Sequence, residues 1–335
     1  MTTDARPARR RSRRALLVGG ATAVLAACAA GPSEVARIEA RNPPRGRFVE
    51  ADGVRVHYRL DGPETGPAAV LIHGATGNLN DMTFDLAPRL AAAGWRVAAF
   101  DRPGLGYTPR IPGAWRPRTQ ARLLRAAAAK LGLERPVVLG HSWGAAVALA
   151  WALDAPEAVT GVAVISGATM PWREGGDAPL TPLITSGFAA RVGVGLLRTF
   201  ALEDDGRGAA ERIFRPQPVP EGYLDHLQAE LILRPDSFRA NTADIQKLNG
   251  ALRTQAEGYR DLDVPVEILH GRADEVTPPP IHAEGLAEAL PRAELRRLDG
   301  VGHMLHHARP EAVVEAMARL AERGGASRPP VAVKD

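Results

Sequence analysis

Val137-Val138-Leu139-Gly140-His141-Ser142-Trp143-Gly144-Ala145-Ala146-Val147-Ala148-Leu149 is the stretch that decides the fold. A β-branched apolar run meets a Gly-x-Ser-x-Gly pentapeptide, and an alanine-rich segment without breakers continues through Leu153. The first part reads as a buried strand and the last as a helix. A strand that turns directly into a helix at Ser142 forces that serine into a strained backbone conformation. Gly140 and Gly144 let the two elements approach without Cβ clashes. The Ser142 hydroxyl then stands above the sheet as a candidate nucleophile. A bare Gly-x-Ser-x-Gly also fits an ordinary glycine-rich turn, so the surrounding sequence must decide.

Upstream, Ala69 to Ile72 is a second buried strand running into His73-Gly74-Ala75-Thr76-Gly77, a turn-rich loop whose backbone N–H groups are free to point inward. The N–H of Ala75, with that of Trp143 just after the serine, forms a candidate oxyanion hole. Downstream, Val264 to Gly271 reads as a strand, and the loop leaving it, Gly271-Arg272-Ala273-Asp274-Glu275-Val276-Thr277-Pro278, offers Asp274 as the acid. Glu294 to Leu298 is a further strand, followed by Gly300-Val301-Gly302-His303, where glycines let His303 reach over the sheet as the base. His306 and His307 do not follow that turn. His73 and His141 suit structural hydrogen bonds better than proton transfer. His57, His226, His270 and His282 show no metal-ligand spacing, so no metal and no cofactor is expected.

From about Arg47 to Ala321 the chain resembles the α/β-hydrolase superfamily. The resemblance rests on His73-Gly74, Asp101-Arg102-Pro103-Gly104-Leu105-Gly106, the Ser142 elbow, Gly271 to Pro278 and Gly302-His303, in that order. It implies an eight-stranded, mostly parallel α/β sheet with helices on both faces and a Ser-Asp-His chain order of catalytic groups. The family's G-x-x-D pattern selects Asp274 over Glu275. The preceding strand, Val162 to Ile165, ends in Ser166-Gly167-Ala168 and offers no alternative carboxylate. Within the superfamily the chain is similar to the lid-bearing group of small-molecule esterases, perhydrolase-like haloperoxidases and carbon–carbon bond hydrolases. Haloalkane dehalogenases and epoxide hydrolases carry aspartate where Ser142 stands. Proline iminopeptidases usually carry glycine where His141 stands.

About ninety residues separate the strands at Val162 to Ile165 and Val264 to Leu269, and they carry helical rather than strand periodicity. Residues 169–259 are therefore read as a helical lid, with helices over Leu183 to Leu202, Tyr223 to Leu233 and Phe238 to Leu252. Phe188, Leu196, Leu197, Phe200, Phe214 and Leu231 give it an apolar face, most of which packs on the core while a few residues line the entrance. That face suits an apolar or aromatic ester better than a sugar or nucleotide. The Trp143 ring either meets an acyl or alcohol group or packs beneath the lid. Around this insertion, 46–168 and 260–325 form the core. Asp52-Gly53 marks a hairpin between Phe48 to Glu50 and Val54 to Leu60, Val97 to Phe100 continues the sheet, and a helix over Glu311 to Ala321 closes it.

The net charge of +4 does not indicate nucleic acid. Arg6, Arg9, Arg10, Arg11, Arg13 and Arg14 stand against Asp4 alone in the first 27 residues, and without them the chain carries −1. The arginines followed by apolar Ala15 to Ala27 read as an export signal over 1–27, since thirteen residues fall short of the ~20 needed to span a bilayer. Leu25-Ala26-Ala27-Cys28 resembles a bacterial lipobox, with Cys28, the only cysteine, as the lipidated residue. Ser12-Arg13-Arg14-Ala15-Leu16-Leu17 also resembles a twin-arginine signal. Residues 28–45 are expected to be a flexible tether and 326–335 a disordered tail.

The leading expectation is a membrane-anchored, extracytoplasmic serine hydrolase acting on a small, apolar carboxylic ester through an acyl-enzyme. Carbon–carbon bond hydrolase, amidase or aminopeptidase, and perhydrolase are rival chemistries on the same triad. A ligand-binding protein without catalysis is the rival class, and it has no need of Ser142, Asp274 and His303 together. The sequence does not specify an oligomeric state.

Overall fold

Eight strands form one sheet: β1 (Arg47–Ala51), β2 (Val54–Asp61), β3 (Ala68–Ile72), β4 (Arg96–Phe100), β5 (Val137–His141), β6 (Gly161–Ile165), β7 (Val266–Gly271) and β8 (Ala293–Leu298). They lie in the order β1-β2-β4-β3-β5-β6-β7-β8. The computed structural model describes residues 32–172 and 207–325. The Asp52-Gly53 hairpin makes β1 and β2 antiparallel, β2 runs antiparallel to β4, and every later pairing is parallel. The α/β-hydrolase architecture expected from the motifs is thus the one formed. The export signal, Cys28, the helix over Leu183 to Leu202 with Phe188, Leu196, Leu197 and Phe200, and the tail 326–335 all lie outside the described residues. Among the described residues no helix is long and apolar enough to cross a membrane.

Pleat alternation builds two cores. Val70, Ile72, Ala98, Phe100, Val138, Val162 and Val164 face the helices Pro117–Lys130 and Trp143–Asp154. Their neighbours Ala69, Leu71, Val97, Ala99, Leu139, Ala163 and Ile165 face Leu86–Ala92 and Pro310–Arg323. Because the central strands are covered on both faces, apolar residues dominate both of their faces rather than alternating with polar ones. The helix after Ser142 follows the same logic: Trp143 to Ala152 are all buried, so it is apolar all round.

Two expectations need correction. Most of the supposed tether is structured: Pro32–Arg41 is a helix. Ile38 packs with Leu231 and Leu233, Arg41 pairs with Glu230 at 3.0 Å, and Arg234 pairs with Glu39 at 2.8 Å. Its Pro and charge content suggested a linker, but Val35, Ile38 and Asn42 share one helical face, with Ile38 and Asn42 buried. Tyr223 to Leu233 is not one helix. Tyr223–Leu227 stops at Gln228, which has φ 54°, and a 3-10 turn over Ala229–Leu233 follows. The buried Gln228 amide donates to Pro43 O at 3.0 Å and accepts from Asn80 at 2.9 Å, which holds the break in place. The third insertion helix forms and is longer than expected, Pro235–Ala256, with Pro235 suited to its first turn.

Candidate active site

Ser142 sits where β5 meets its helix, at φ 52° and ψ −119°. A Cβ on Gly144 would lie 2.3 Å from Ile72 O, and one on Gly140 would lie 2.3 Å from Gly144 O. Only glycine fits either position, so the strained serine turn is imposed by packing on both sides. Ser142 N–H donates to Ile165 O at 3.0 Å, which ties the elbow to β6.

His303 follows β8, and its Nδ1 lies 2.9 Å from Asp274 Oδ2. Asp274 is buried, and its Oδ1 accepts from the N–H groups of Val276 at 2.9 Å and Thr277 at 3.0 Å. Oδ2 also accepts from Thr277 Oγ1 at 2.8 Å, with His270 Nε2 at 3.0 Å. Burial alone would raise this carboxyl, but the charge of His303 and the hydrogen bonds of His270 and His303 hold it well below the usual carboxylate range. The glycine turn brings His303 to the elbow: His141 Nε2 lies 3.1 Å from His303 O, and the two rings are 4.9 Å apart. His270 and Thr277 were not singled out in the sequence, because nothing in a strand end or a loop threonine announces a carboxylate partner three to four residues away.

The Gly74–Ala75 peptide is held from its carbonyl side. Arg102 Nη1 donates to Gly74 O at 2.9 Å, and His73 Nδ1 contacts the same oxygen at 2.8 Å. In a trans peptide the N–H points opposite to the C=O, so fixing Gly74 O aims the Ala75 N–H the other way. Trp143 is the first residue of its helix, and its N–H has no intrahelical acceptor. His73 Nε2 accepts from Arg102 N–H at 3.0 Å, and burial followed by the Arg102 charge lowers this imidazole to about 4. It is a neutral, structural ring, as its position suggested.

Arg102 is itself fully buried. It pairs with Asp244 of the insertion, stacks on the Trp143 ring at 3.9 Å, and is joined at Asp244 by Arg110 at 2.7 Å. Burial lowers this guanidinium to about 10 despite Asp244. Trp143 Nε1 donates to Asp244 O at 3.2 Å, and Asn241 Oδ1 accepts from Thr76 N–H at 2.7 Å. The Trp143 ring therefore packs beneath the insertion. Phe214 and Leu231 likewise bury themselves, in clusters with Tyr223 and with Ile38. Asp101 braces the next loop, accepting from Leu79 N–H and Tyr107 N–H at 2.7 Å each. Arg102 lay inside a recognised motif, but its partner Asp244 sits 142 residues away and carried no local signal.

His141, expected to make structural hydrogen bonds, and His306 lie beside Asp81, and the three bring ligand-capable atoms within 4.8 Å of one another. Spacing along the chain could not reveal it, because the three come from the helix after β3, the end of β5 and the segment after β8.

Residues 69–316 match the model of the alpha/beta hydrolase family, and the chain belongs to that family. It is 26% identical over 272 residues to a 2-hydroxy-6-oxononadienedioate/2-hydroxy-6-oxononatrienedioate hydrolase of Cupriavidus pinatubonensis, covering 77% of this chain and 88% of that protein. It is 31% identical over 263 residues to a magnesium-chelatase 30 kDa subunit of Rhodobacter capsulatus, covering 73% and 83%. An esterase from Exiguobacterium antarcticum shares the fold with a TM-score of 0.63 at 22% identity, covering 83% of this chain and 99% of that one. The chain is a hydrolase of this fold.

Proposed function

We propose that the protein is a serine hydrolase that cleaves a small, apolar carboxylic ester. The observation that carries the reading is the strained Ser142 at the head of a helix, with His303, 2.9 Å from Asp274, resting on the preceding residue His141. With the Nδ1–H of His303 directed at the carboxylate, Nε2 carries the lone pair that accepts the Ser142 proton. Ser142 Oγ attacks the ester carbonyl, and the N–H groups of Ala75 and Trp143 stabilise the tetrahedral oxyanion. One such donor is worth about 2.7–4 kcal/mol of barrier. His303 returns the proton to the leaving alcohol. Water, activated by the same imidazole, then releases the acid and regenerates Ser142. No step requires a cofactor.

The preference for an apolar ester over a dianionic substrate is supported by Arg102 and Arg110, which are both committed to Asp244 rather than offered to a carboxylate. Cleavage of a carbon–carbon bond is the second reading, favoured by the likeness to the dienedioate hydrolase. We further propose that residues 1–27 direct export and that acylated Cys28 anchors the enzyme on the extracytoplasmic side of a membrane. The test is turnover of aryl esters of increasing acyl length, anilides and a 2-hydroxy-6-oxo-dienoate by the purified protein. Short-chain esters turned over fastest support the proposal; a preference for the dienoate selects the second reading.

A further inference from the structure

We propose that Asp81, His141 and His306 form a binding site for one divalent cation of the zinc class, a structural clasp between the loops that carry Ser142 and His303. The inference is independent of the substrate and of the order of catalytic steps. Three features carry it. The residues are 3%, 3% and 1% exposed, so they form an interior site rather than a surface scatter of charge. Each supplies a ligand-capable atom within 4.8 Å of the other two. Electron-pair donors also outnumber the protons available to them. His306 Nε2 and His307 Nε2 turn toward Asp81 Oδ1 at 3.3 and 2.9 Å, and His141 Nε2 turns toward His303 O at 3.1 Å. That leaves Nδ1 of His141, His306 and His307 buried without a partner, and His141 Nδ1 faces Asp81 Oδ2 at 3.9 Å.

Two imidazoles and a carboxylate are a donor set suited to zinc, which binds nitrogen at about 2.0–2.1 Å and carboxylate oxygen at about 2.0–2.2 Å. Ligation asks the three ligand atoms, now within 4.8 Å of one another, to close inward. His307 and Tyr223, whose O–H donates to Asp81 Oδ1 at 2.8 Å, stand beside the cluster as the outer shell that orients the carboxylate. A cation here would fix the His141 ring and, through Nε2, the His303 backbone that rests on it.

The experiment uses the untagged full chain, freed of metal by chelator and titrated with Co²⁺ and then Zn²⁺. The expected result is one equivalent of Co²⁺ with visible d–d bands of a four-coordinate site, displaced by Zn²⁺, and a rise in Tm that saturates at the same stoichiometry. Asp81→Asn and His306→Gln should each weaken binding at least about a hundred-fold, the upper end of what even an outer-shell change costs. Absence of both the bands and the Tm response in the wild-type protein overturns the proposal, without reference to any variant. Binding retained at wild-type strength in both folded variants overturns it equally, because the cation would then lie elsewhere.

Discussion

Replacing Arg102 by methionine should damage catalysis more than its distance from the reacting atoms suggests. The substitution deletes the guanidinium that donates to Gly74 O at 2.9 Å, stacks on Trp143 and pairs with Asp244. Outright loss of an oxyanion donor costs about 2.7–4 kcal/mol, or roughly 10²–10³ in kcat. The His73 contact to the same carbonyl at 2.8 Å survives, so the Ala75 N–H is loosened rather than lost. The expected effect is a kcat lowered about 10- to 100-fold, equivalent to about 1.4–2.7 kcal/mol, with KM changed little. Breaking a buried ion pair costs about 3–5 kcal/mol, but Arg110 remains on Asp244 at 2.7 Å, so the stability loss should sit at or below the bottom of that range. The assay is steady-state hydrolysis of a p-nitrophenyl ester at a temperature where urea melts show the variant folded. Binding of a boronic acid that mimics the tetrahedral state should weaken in parallel. A folded variant with wild-type kcat and wild-type boronate affinity would refute the idea that Arg102 aims the oxyanion donor.

Acid should destabilise the fold through the buried ring of His73. His73 is lowered from 6.5 to about 4, so the unfolded chain binds the extra proton between those values and stability is lost as pH falls through that window. This one ring accounts for about 2 kcal/mol between pH 7 and pH 5, and urea midpoints that stay flat over the range would contradict it. Glu267, fully buried on β7, pairs with Arg319 at 2.8 Å and Arg323 at 3.0 Å. Since both arginines are about a quarter exposed, Glu267→Gln should cost roughly 2–3 kcal/mol, a loss that chemical denaturation would detect and an unshifted midpoint would exclude. Cys28→Ser should move the protein from the membrane to the soluble fraction of bacteria expressing the full gene. An unprocessed wild-type chain free in the cytoplasm would overturn the anchoring proposal and leave the chemistry untouched.

The parts of this molecule that a reader of sequence can see are those specified by local rules. The elbow is legible because a Cβ at 140 or 144 is sterically impossible. The central strands are legible because burial on both faces leaves them mostly apolar. Ser142, Asp274 and His303 each follow a strand end and a characteristic turn, so their candidacy could be read from their order together with the G-x-x-D pattern that separates Asp274 from Glu275. What escaped is long-range and polar. Asp244 reaches Arg102 across 142 residues, and Asp81 meets His306 across 225. The helix Pro32–Arg41 was hidden by a linker-like composition, since its stability comes from Leu231, Leu233 and Glu230 rather than from its own residues. Gln228 broke an expected helix for the same reason: its amide is worth more bonded to Pro43 and Asn80 than exposed on a continuous helix.

Whether Ser142 is the nucleophile can be read from covalent trapping. The full chain is treated with a fluorophosphonate, digested, and the adduct located by mass spectrometry in wild-type protein and in Ser142→Ala. A single adduct on Ser142 is expected, blocked by prior acid unfolding, with labelling and ester turnover both lost in the alanine variant. Turnover that persists in a folded Ser142→Ala protein, or an adduct on another residue, would contradict it.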